Sequence, residues 1–154
     1  MEELIRPVLG RQAWAVRLLL GSNLAMDFGS PVEPYGNGSV FGEWHLWVSM
    51  AAWRLEGGGR VIAGSEDPRS VLVPAVALLE DRRLMTVTIR PPALETVFEF
   101  DGIELHVFPI YSQRDVDDPA DHWMLWMPAG DILTVGPGST WSVETSSSRR
   151  GRRS

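Results

Sequence analysis

The sequence predicts an α+β domain, a mostly antiparallel curved sheet or partial barrel with one helix, about residues 68–80, packed on it. Three features of the chain lead there. Short alternating apolar runs are broken by Gly, Pro, Asn and Asp, one segment repeats its apolar residues at helical spacing, and Asp101-Gly102 stands between two alternating runs. Residues 1–144 are expected to form a single domain, and residues 145–154, with nothing apolar to bury, a disordered basic tail.

Two strands are read at 14–20 and 24–28 around a Gly21-Ser22-Asn23 turn, followed by a loop from Gly29 to Gly42. Trp44 to Leu55 reads as one long strand, turned at Gly57-Gly58-Gly59 into a short return strand from Arg60 to Ala63. The helix is announced by Asp67 as N-cap and Pro68 at the first helical position, and Leu72, Ala75, Val76 and Leu79 form its apolar stripe. Six further strands follow at 84–89, 94–100, 103–108, 123–127, 132–135 and 141–144, in the order of an antiparallel meander.

Composition narrows the chemistry. The chain has no cysteine, which excludes disulfides, thiolate nucleophiles and Cys-ligated zinc. All 14 basic residues are arginine, so a Walker A loop, a Schiff base and a lysine general base are excluded as well. Four of those arginines lie at 149–153, leaving ten against all 20 acidic residues in the rest of the chain. An acidic body repels phosphates, so a basic protein is the expected partner and nucleic acid is not. No export signal or apolar run long enough to span a bilayer is read, so a cytoplasmic protein with no membrane partner is expected.

The Asp101-Gly102 hairpin carries the sharpest expectation. A two-residue type I′ loop there places Phe100 opposite Ile103, Glu99 opposite Glu104, Phe98 opposite Leu105 and Val97 opposite His106. One face is then Leu94, Thr96, Phe98, Phe100, Ile103, Leu105 and Val107, a core. The other carries Glu95, Glu99, Glu104 and His106. Facing carboxylates repel, so this face requires relief from an arginine such as Arg83 or Arg90, from a cation or from a basic partner.

Seven tryptophans, against about two at ordinary usage, form the second anomaly. Trp44 and Trp47 are an odd number of residues apart, as are Trp123 and Trp126, so each pair points to opposite sheet faces. Either the sheet is covered on both sides or one face is an aromatic binding surface. The acidic loop from Arg114 to His122 fails the EF-hand pattern, since Ala120 and Trp126 occupy the positions that need Gly and Glu. The three histidines lack metal-ligand spacing, and Gly136-Pro137-Gly138 leads into a strand rather than a phosphate-binding helix.

The run Trp53-Arg54-Leu55, Asp101-Gly102-x-x-Leu105-x-Val107-Phe108-Pro109, Trp123-x-Leu125-x-x-Pro128-x-Gly130 and Gly136-Pro137-Gly138-x-x-Trp141 resembles small Trp-rich actinobacterial proteins with a domain of unknown function. In general style the chain is similar to small acidic immunity proteins. Neither resemblance carries over a functional residue. The expected function is a non-enzymatic protein-interaction domain, such as an immunity or antitoxin-like inhibitor, with Glu95, Glu99, Glu104, His106 and Trp126 meeting a basic partner. The alternative is a small-ligand-binding half-barrel with room for catalysis among its tryptophans. No catalytic residue, metal ligand or cofactor is assigned.

Overall fold

The computed structural model describes residues 1–33, 36–113 and 121–145. The chain opens with a short helix α1 (Glu2–Ile5) and a 3-10 turn (Arg6–Val8), where the sequence reading placed no element. Strands β1 (Ala13–Leu18), β2 (Leu24–Val32), β3 (Phe41–Val48), β4 (Ala51–Gly57) and β5 (Arg60–Gly64) precede the helix α2 (Arg69–Ala77). After it come β6 (Leu84–Arg90), β7 (Glu95–Phe100), β8 (Ile103–Pro109), β9 (Trp123–Trp126), β10 (Asp131–Val135) and β11 (Trp141–Thr145). Most of the acidic loop, residues 114–120, and the tail from residue 146 lie outside the described residues, while Thr145 ends β11.

The strands form two open antiparallel sheets instead of one. Six strands lie in the order β1-β2-β3-β9-β10-β11, and five in the order β5-β4-β8-β7-β6. The stretch read as one long strand from Trp44 to Leu55 is where the chain changes sheets: it breaks at Ser49-Met50, so that β3 and β4 pair with different neighbours. The six later strands are likewise divided, three to each sheet. The buried positions shift from even at Trp44, Leu46 and Val48 to odd at Ala51 and Trp53, a one-residue slip that marks the break but not which sheet each half joins.

Both sheets turn an apolar face to one core that also takes Ile5 and Val8 from the N-terminal turns and Leu72, Ala75, Val76 and Leu79 from the helical segment. Trp123 of β9 meets Phe98 of β7 edge-on, with centroids 5.2 Å apart, and its indole N–H donates to the Thr96 hydroxyl at 2.9 Å. Trp53 donates in turn to the Ser22 carbonyl at 2.7 Å. These two tryptophans are thus buried without stranding their indole N–H groups.

Helix α2 is shorter than the expected 68–80 and packs on β1 and β5, which are edge strands of the two sheets. Asp67 does not cap it. Its carboxylate accepts from the Gly64 N–H at 2.9 Å, and Pro68 occupies the cap position. Beyond the helix Glu80 holds the bulge of β1, accepting from the N–H groups of Ala15 and Val16 at 2.9 and 2.8 Å.

Candidate acidic face

The hairpin of β7 and β8 has the expected register, with Phe100 opposite Ile103, Glu99 opposite Glu104 and Val97 opposite His106. The turn type differs. Gly102 has φ +83° but Asp101 is not in the left-handed region, so the loop is not type I′. All seven residues assigned to the inner face are buried.

On the outer face, β4 lies on the other side of β8, with Glu56 opposite Glu104 and Arg54 opposite His106. Three carboxylates, Glu99, Glu104 and Glu56, therefore stand in one row across three adjacent strands. Directly opposed like charges destabilise a sheet, so the row persists only with local compensation. His106 Nε2 lies 2.7 Å from Glu56 Oε2 and 2.8 Å from Glu104 Oε2, and Arg54 donates to Glu56 Oε2 at 3.2 Å. Glu99, at the far end of the row, accepts from the Thr86 hydroxyl at 2.8 Å.

Aromatic packing holds these groups in place. The His106 ring stacks on Phe108 with an interplanar angle of 17°, and the Arg54 guanidinium lies 4.9 Å from the Phe108 centroid. The Arg54 Nε has no hydrogen-bond partner among the described residues. At the end of the row a groove of about 340 Å³ opens between the Gly57–Gly59 turn and Gly102, lined also by Glu56, Glu99 and Glu104.

The structure brings Glu99, Glu104 and His106 together and places the other two expected residues elsewhere. Glu95 lies opposite Arg90 at the other end of β7, away from the carboxylate row. Arg83 is not the relieving cation, since its guanidinium donates to the Gly10 carbonyl. Sequence reasoning missed Arg54 and Glu56; their outward alternation along β4 was legible, but their place beside β8 was not.

Trp126 belongs to the other sheet, on the face turned away from the core. There it stacks with Trp47 at 6.1 Å and meets His45 edge-on at 5.3 Å, so the outward member of each tryptophan pair packs on the other. Beneath them the buried Asp27 accepts from His45 Nδ1 at 2.8 Å, the Gly42 N–H at 2.9 Å and Arg17 at 2.9 Å. Burial pushes the Asp27 carboxyl upward, but the hydrogen bonds from His45, Gly42 and Arg17 outweigh it and hold it below its ordinary 3.8. A lone Asp in the apolar run Leu24 to Phe28 was the signal for this cluster.

No protein-family model matches the chain, and no curated protein or solved structure matches it significantly. No helix among the described residues is long and apolar enough to cross a membrane.

Proposed function

We propose that this protein is a non-enzymatic interaction module whose acidic face on the five-stranded sheet binds a cationic surface of a protein partner, in the manner of an immunity or antitoxin-like inhibitor. The observation that supports the reading is the row Glu99, Glu104 and Glu56, which sets three carboxylates against one guanidinium and one imidazole. Such a row weakens the isolated sheet, and a basic partner that supplies further arginine or lysine turns the same charges into binding energy. The face itself favours neither phosphate nor anionic lipid, because its charge has the wrong sign for both.

The test compares the wild type with the double variant Glu99→Gln, Glu104→Gln. The variant should be as stable as the wild type or slightly more so, while affinity for a basic protein captured by the wild type falls at least tenfold in calorimetry. The wild-type on-rate should drop with added salt, since steering is screened over about 8 to 10 Å at physiological ionic strength. Equal affinities for the two proteins would remove this face from the interaction.

A further inference from the structure

We propose that Glu56, Glu104 and His106 form a binding site for a divalent transition-metal ion on the outer face of β4 and β8. One donor atom from each residue, two carboxylate oxygens and one imidazole nitrogen, lie within 4.8 Å of one another. A mixed set of one nitrogen and two oxygens suits zinc or a neighbouring first-row ion rather than calcium or magnesium, which prefer oxygen alone.

The decisive point is what His106 Nε2 faces. A bare nitrogen lone pair cannot stand 2.7 and 2.8 Å from two carboxylate oxygens without strong repulsion, so Nε2 carries either a proton or a metal ion there. A proton on Nε2 meets this requirement for only one oxygen in good line, because one N–H points in one direction. A divalent ion meets it for both. Around a tetrahedral ion with ligand bonds of about 2.0 to 2.1 Å, donor atoms sit about 3.3 Å apart, so His106 Nε2 and each carboxylate oxygen need to separate by roughly half an ångström.

The surroundings favour such a site in three ways. All three ligands stand on paired strands, with Glu56 opposite Glu104 and His106 two residues further along, so their backbone positions are set before any ion arrives. Stacking on Phe108 fixes the imidazole plane. The groove beside Glu56 and Glu104 leaves the remaining coordination positions open to water or to a partner's side chain. Arg54, which shares Glu56 Oε2, then serves as the outer cation that orients this carboxylate. The inference does not depend on the proposed protein partner, since it concerns the free protein and the metal alone.

Zinc chloride titrated into the full-length protein in a calorimeter should show one strong site, lost by at least tenfold in affinity in His106→Gln and in Glu56→Gln and retained in Glu95→Gln, which lies on the same face outside the cluster. Cobalt(II) bound at the site should give visible absorption bands of the intensity typical of four or five ligands, absent in His106→Gln. Thermal unfolding of each variant without metal establishes that it is folded; if one of the two site variants is not, the other and the cobalt spectrum decide. Wild-type protein that binds no zinc, or zinc binding unchanged in a folded His106→Gln or Glu56→Gln, would overturn the assignment.

Discussion

The imidazole of His122 lies directly against the α-carbon of Gly136, so closely that a Cβ added to Gly136 would stand 1.8 Å from His122 Cδ2. His122 precedes β9, and its backbone extends the pairing of that strand with both its neighbours: its carbonyl accepts from the Ser49 N–H just after β3, and its N–H donates to the Val135 carbonyl at the end of β10. Gly136 also has φ +74°, a region that costs a side chain about 1 to 2 kcal/mol.

Gly136→Ala therefore combines a steric overlap in the interior with backbone strain, and should destabilise by about 2 to 5 kcal/mol. Urea denaturation of the variant measures the loss directly. A midpoint equal to that of the wild type would show that the ring and the loop move apart without cost.

The pH dependence of stability follows from two buried groups of opposite kind. Burial holds the His122 imidazole below its ordinary 6.5, against the pull of the Met50 carbonyl and the Asp121 charge. Its Nε2 has no hydrogen-bond partner among the described residues, so protonation there would leave a buried N–H unsatisfied. Between its folded and unfolded values the unfolded chain binds more protons, and stability falls as pH drops through about 6.5. Asp27, depressed below 3.8, contributes stability that is present above that value and lost as pH falls beneath it. The urea midpoint should thus decline in two stages, one from about pH 6.5 and one from about pH 4. His122→Gln should flatten the first and leave the second; a wild-type midpoint constant from pH 7 to pH 5 would contradict the assignment.

At the hairpin, Gly102→Val should cost more than about 1 kcal/mol, because φ +83° places a β-branched side chain in the left-handed region. The added Cβ would also stand 3.3 Å from the Arg82 guanidinium. Gly64→Ala is the control: that position has ordinary backbone angles and open space, so the change should be neutral or stabilising by a few tenths of a kcal/mol. Equal effects of the two substitutions would mean that backbone conformation does not govern the turn.

How far the site could be read in advance depends on the range of the interactions that make it. Glu99 opposite Glu104 was legible because a tight turn two residues long fixes the pairing of the strands it joins, and the alternation of Phe98, Phe100, Ile103 and Leu105 fixes which side is buried. Turn type was not, since Asp101 can satisfy a two-residue connection without a positive φ. The grouping of Trp126 with the acidic residues failed for a larger reason: both face outward, but from different sheets.

What the sequence by itself determined is local: the antiparallel β character, the apolar stripe of the helix, the hairpin register and the opposite facing of Trp123 and Trp126. Each follows from side-chain periodicity within a strand, a helix turn or a two-residue loop. Tertiary structure alone decided that the chain changes sheets at Ser49-Met50, that β4 lies beside β8, and hence that Arg54 and Glu56 complete the cluster with Glu104 and His106. About fifty residues separate those pairs in the chain. Periodicity says which face a residue takes but not which strand will be its neighbour; that choice is made by how two apolar sheet faces and the helical segments best close over a common core.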